Sequence, residues 1–172
     1  MTDWPTILAT NEAALWRAAY RVLNHRDDAL ECCQAALLDA YKYSLTHQVD
    51  DWAALLVSLA TRRSIDRLRR RASRNRVLVP LDDVPEPATL MECPSQRTEA
   101  SELMDRLREA LVELPKKQAE VFWLNCVEQL SHEDISRQLM MTANESRVLL
   151  HRARSQLAKI FNPQQSKTRG NT

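Results

Sequence analysis

A chain of 172 residues with one glycine, Gly170 near its end, has few ways to turn. Two-residue β-hairpins lean on Asn-Gly and Gly-Gly pairs, and phosphate-cradling loops need several glycines close together. Strand pairs joined by tight turns and glycine-rich nucleotide sites are therefore both disfavoured. Helices joined by capped turns remain, and an all-α fold follows. Apolar residues at 44% and charged residues at 27% supply enough material for one medium domain or two small ones.

Apolar periodicity divides the first half into three helices. Leu8, Ala9, Leu15, Ala18, Ala19, Val22 and Leu23 recur near a 3.6 period, and "NHRDDA" breaks the run. The next helix, Asp27 to Tyr43, carries Leu30, Cys33, Leu37, Leu38 and Tyr41 on one side. After the polar bend "SLTHQVDD" comes "WAALLVSLATRRSIDRLRRR", apolar on two sides at first, so it should sit between neighbours. In that third helix Ser58, Arg62, Asp66 and Arg69 share a face. The stretch "LVPLDDVPEPATLMECPSQ" holds four prolines and no sustained period, as a linker does. Beyond it, "EASELMDRLREALVEL" is amphipathic, and Pro115 suits the first position of the helix "PKKQAEVFWLNCVEQ".

The net charge of +1 conceals a segregation. Asp27 to Asp51 holds six acids against one base, Lys42, whereas Arg62 to Arg76 holds eight arginines against one acid, Asp66. Ser146 to Phe161 carries three arginines and a lysine with no acid. Local patches of this kind set the field that a partner feels. Cys32, Cys33, Cys93 and Cys126 lack metal-ligand spacing, and adjacent Cys32 and Cys33 diverge by about 100° on a helix. They read as reduced, mostly buried thiols, with no metal or cofactor expected. His25, His47, His132 and His151 are scattered, and His132-Glu133 lacks the second histidine of an HExxH site, so no catalytic residues are assigned. No signal peptide or membrane-spanning run is recognisable, so a cytoplasmic protein without membrane insertion is expected.

Two capping signals divide Leu130 to Arg154. Ser131 with Asp134, and Thr142 with Glu145, each place a hydroxyl three residues before a carboxylate. Leu130 and Ile135 supply a hydrophobic staple around the first cap. Helix starts at Ser131 and Thr142 leave Met140 and Met141 for the turn, which defines a helix-turn-helix without glycine. In its second helix Ser146, Leu150, Ala153, Leu157 and Phe161 face inward. Asn144, Val148, His151 and Arg152 lie opposite, with Arg147 and Glu145 on the flank, in a form that suits a DNA major groove. Arg147, Arg152, Arg154 and Lys159 could neutralise phosphates.

These segments, in this order, resemble the extracytoplasmic-function (ECF) sigma factors of bacterial RNA polymerase, within the sigma-70 family. "HRDDALECCQAALLDAYKY" and "WAALLVSLATRRSIDRLRRR" are similar to the family's second conserved region, the latter keeping Ala60, Ile65, Asp66, Leu68, Arg69 and Arg70. "LREALVELPKKQAEVFWLNCVEQLSHEDISRQL" and "LLHRAR" resemble the fourth. The resemblance implies residues 1–73 as region 2, 74–98 as a flexible linker, 99–163 as region 4 and 164–172 as a disordered tail. It also implies a non-enzymatic subunit that binds core polymerase, through the beta-prime clamp helices and the beta flap, and directs it to promoters. By position, Asp28, Glu31, Gln34 and Asp39 would meet the clamp helices. Ser58, Thr61, Arg62, Arg69 and Arg70 would meet the minus-ten element. Thr142, Asn144, Glu145, Arg147, Val148, His151 and Arg152 would read the minus-thirty-five element. An anti-sigma factor is a further implied partner.

The chain departs from the family pattern at several positions. Ala35 replaces a glutamate, Leu37 a phenylalanine, and Thr61–Arg62 an Arg-Asn pair. Met140 stands at the turn glycine, and Leu149 replaces an arginine. The missing carboxylate at Ala35 motivates a second reading, a stand-alone helix-turn-helix regulator or a degenerate sigma paralogue.

Overall fold

A computed structural model describes residues 3–77 and 98–162. The expected linker, apart from its ends, and the expected tail lie outside these residues. Seven helices and no strand occur among them: α1 (Trp4–Leu23), α2 (Arg26–Ser44), α3 (Trp52–Val77), α4 (Glu99–Glu113), α5 (Lys116–Cys126), α6 (His132–Leu139) and α7 (Ala143–Phe161). None is long and apolar enough to cross a membrane.

Side-chain caps set most of the helix starts, as a glycine-poor chain requires. Asp3 accepts from Thr6 N–H at the head of α1, and His25 Nδ1 from Asp28 N–H at 3.2 Å at the head of α2. Asp51 accepts from Ala54 N–H at 2.9 Å before α3, and Thr98 from Ser101 N–H before α4. Each such cap contributes roughly 1 kcal/mol. Pro115 takes the N-cap of α5 rather than its first helical position, because its ψ of 140° is extended. Helix α3 runs on to Val77, past the expected linker start at residue 74. Nothing between Ala72 and Val77 is a helix breaker, and the first proline beyond is Pro80.

Helices α1, α2 and α3 pack on one another around Leu15, Val22, Leu56, Ala60 and Ile65, all buried. In α2 the buried stripe is Ala29, Cys32, Cys33, Ala36 and Ala40, small residues that let the helix approach α1 and α3 closely. The expected apolar side is corrected by this: Leu30, Leu38 and Tyr41 are exposed, as is Leu8 of α1. Burial pushes the Cys33 thiol up to about 11 and raises Cys32 as well, so both are unreactive at neutral pH. Of the three described cysteines Cys32 and Cys33 are buried, as expected of mostly buried thiols, and Cys126 is exposed.

Helices α5, α6 and α7 pack around Val121, Leu124, Ile135 and Leu150. The fully buried Trp123 donates Nε1–H to Glu128 at 3.2 Å. As its two apolar sides predict, α3 is central: it touches α1 and α2 on one side and α4, α5 and α6 on the other. Leu111, Leu114 and Trp123 therefore join the same continuous core as Leu56 and Ile65.

Candidate nucleic-acid interface

The helix-turn-helix begins at Ser131, whose hydroxyl accepts from Asp134 N–H at 3.0 Å. Helix α6 ends where Met140 takes a left-handed conformation, φ 50° and ψ 55°, and donates its N–H to the Ser136 carbonyl. Met141 N–H reaches the same carbonyl at 3.0 Å. The turn thus has the backbone shape that glycine favours, built on methionine. Thr142 opens α7 with a complete capping box: Glu145 N–H donates to Thr142 Oγ1 at 3.1 Å, and Thr142 N–H to Glu145 Oε2 at 2.7 Å. The Thr142 backbone bond holds the Glu145 carboxyl below its ordinary pKa. His132 Nδ1 and Ser146 Oγ, 2.8 Å apart, tie the start of α6 to the buried side of α7.

Ser146, Leu150, Ala153 and Leu157 are buried, and Phe161 partly so. Thr142, Asn144, Glu145, Arg147, Val148, His151 and Arg152 are all exposed on α7. The expected reading face therefore forms one solvent-facing surface at the start of a helix. One contact was not foreseen: Glu133 of α6 holds Arg147 at 3.0 Å and fixes the guanidinium beside the turn. Arg154, a candidate for phosphate, instead lies 3.4 Å from Cys126 Sγ on α5.

The α3 residues are placed differently. Ser58 is 1% exposed and Thr61 0%, with neither hydroxyl hydrogen-bonded among the described residues. Arg62 faces Glu120 of α5 at 3.9 Å, and Arg69 donates to the Leu114 carbonyl at 2.6 Å. Only Arg70 of this set is exposed. In this arrangement the second group of helices covers the expected minus-ten face.

The acids of α2 meet the arginines of α3. Arg67 pairs with Asp28 at 2.6 Å and Glu31 at 2.8 Å, Arg71 with Asp28 at 3.6 Å, and Arg63 with Asp39. Asp28 and its ion pair hold the Arg67 guanidinium even more firmly protonated than usual. Of the four expected polymerase contacts, Gln34 is exposed and stands beside Leu37, Leu38 and Tyr41 in a shallow apolar groove. The seam was signalled in the sequence, where an acid-rich run precedes an arginine-rich one. No group of three or more His, Cys, Asp or Glu side chains suited to a metal occurs among the described residues.

Two helical groups, one ending in a capped helix-turn-helix with an exposed polar face, define an all-α protein of the helix-turn-helix class. Residues 104–157 match the family described as sigma-70, region 4. The chain is 26% identical over 168 residues to the ECF RNA polymerase sigma factor SigE of Mycolicibacterium smegmatis, covering 98% of this chain and 65% of that protein. The chain thus spans just under two thirds of the length of this curated relative. The sigma factor RpoE of Bartonella quintana, solved in complex with the anti-sigma factor NepR, shares the fold. Its TM-score is 0.59 at 18% identity, over 94% of this chain and 98% of that one. Residues 104–157 thus carry a sigma-70 region 4 match, and the chain is similar over nearly its whole length to an extracytoplasmic-function sigma factor.

Proposed function

We propose that this protein is a sigma factor that binds core RNA polymerase and directs promoter-specific initiation of transcription. The observation that carries the reading is the capped helix-turn-helix, with Asn144, Arg147, Val148, His151 and Arg152 outward on one helix within the region 4 match. Asn and Arg can pair bidentately with adenine and guanine edges in the major groove, which suits the minus-thirty-five element. Arg62, Arg69 and Arg70, with Ser58 and Thr61, serve the minus-ten element once their face is free. Gln34 and its apolar neighbours in the groove, together with Asp28, Glu31 and Asp39 of the same helix, form the polymerase side toward the clamp helices. The second group meets the beta flap.

On this reading residues 1–73 and 99–163 are the working units, and residues 74–98 and 164–172 are the linker and tail. The chain performs no reaction of its own and works in the cytoplasm, where the polymerase is. An anti-sigma partner is part of the proposal, by analogy with the Bartonella protein and NepR. Run-off transcription on fragmented genomic templates tests it. Discrete products are expected with core polymerase plus this chain and not with core alone, and their absence from every fragment refutes the reading. Pull-down with core polymerase separates it from a stand-alone regulator, which binds DNA but not polymerase.

A further inference from the structure

We infer that Glu133 is a positioning residue for sequence reading: its carboxylate holds the Arg147 guanidinium toward base edges in the major groove and away from the phosphates. The inference rests on the reading of α7 as the helix that meets the minus-thirty-five element. It adds to that reading a residue of the other helix of the motif.

Two rungs join the head of α6 to α7. His132 pairs with Ser146 at 2.8 Å, and beside it Glu133 pairs with Arg147 at 3.0 Å, each across fourteen residues of chain. The inner rung ends on Ser146, which is fully buried, so the backbone that carries Glu133 is tied to α7 from within. Ser131 caps α6 just ahead of Glu133, and the capping box of Thr142 and Glu145 fixes the start of α7 just ahead of Arg147. The outer rung thus spans two fixed helix starts. Both of its side chains are more than half exposed, and such a pair adds little to stability. Its effect is on direction.

Neighbouring acids serve their own helices. Asp134 holds Arg137 within α6 at 2.7 Å, and Glu145 turns back to Thr142 N–H at 2.7 Å. Glu133 instead reaches across the turn to a cation of the reading face. Its place in the first turn of α6 suits the helix dipole and accounts for an acid there, but not for the direction in which it points.

A guanidinium presents a rigid fork of N–H donors. With Nη2 engaged on Glu133 Oε1, the remaining donors are free to meet O6 and N7 of a guanine. Released from Glu133, a side chain of this length can swing to a phosphate, which adds affinity on every sequence alike. The carboxylate also repels the phosphates themselves. Glu133 therefore lowers affinity for DNA in general and raises discrimination at the base pair that Arg147 meets.

Selection from a randomised duplex library by the full chain bound to core polymerase tests the inference. Wild type should enrich guanine at one base pair, and Arg147→Ala should lose that enrichment. Glu133→Gln keeps the shape and removes the charge. It should weaken the guanine preference at that base pair about three-fold, with preference elsewhere unchanged. Its affinity for mixed-sequence duplex should rise and should fall more steeply with salt. In an Arg147→Ala background, Glu133→Gln should leave base preference unaltered, an outcome that a general structural role for Glu133 does not give. A Glu133→Gln chain with wild-type preference overturns the positioning. So does a change spread over many base pairs that persists in the Arg147→Ala background. If Arg147→Ala alters no preference while other base pairs are still read, the inference falls and the reading of α7 stands. If wild type enriches no sequence, that reading is refuted and the inference falls with it.

Discussion

Met140 carries a turn whose backbone shape favours glycine, and it does so at φ 50°. A Cβ in the left-handed region costs roughly 1–2 kcal/mol, part of which glycine gives back through its freer unfolded chain. Met140→Gly should therefore raise stability by up to about 1 kcal/mol in urea unfolding; a loss would show that the exposed methionine contributes packing. The opposite change is Thr142→Ala, which removes one half of the capping box. It should cost about 1 kcal/mol by the same measurement. Its partner Glu145 has a lowered pKa, because the Thr142 backbone and hydroxyl bonds favour the carboxylate. The support from Glu145 is thus present above its unfolded value and is lost as pH falls through its lower folded one. Thr142→Ala keeps the backbone bond and loses only the hydroxyl, so its deficit relative to wild type should narrow in part, and not vanish, on acidification.

At the scale of the helix, Glu120 runs the other way. It lies 3% exposed on α5, and burial raises its pKa, only partly offset by Arg62 and Lys116. A carboxyl raised on folding favours the folded state below its unfolded value, and that advantage is lost as pH rises through the folded pKa. Glu120→Gln abolishes this dependence. Its thermal stability relative to wild type should increase as pH rises through that window and stay level above it, and a difference independent of pH would contradict the assignment. Elements of the fold were legible where a local signal decides them: caps placed the starts of α6 and α7, and the period of α3 foretold its central position. The inward side of α2 was not legible, since leucines and a tyrosine outweigh alanines in any hydrophobic pattern, yet close helix contact selects the alanines. The exposed side of α7 was legible from its spacing. The covering of Ser58 and Thr61 was not, because it arises from helices that begin only at Glu99 and beyond in the chain.

For the whole molecule, the seam around α3 makes order of synthesis matter. Helix α3 is complete at Val77, but α5, which covers it, ends at Cys126. At about 5–20 residues per second, the ribosome delivers the second after the first with a lag of several seconds. Through that interval the Ser58–Arg69 face of each newborn chain is bare to water and to any nucleic acid nearby. Cover of this face is thus acquired with age, and a pool of nascent chains differs in accessible surface from a pool of finished ones of identical sequence.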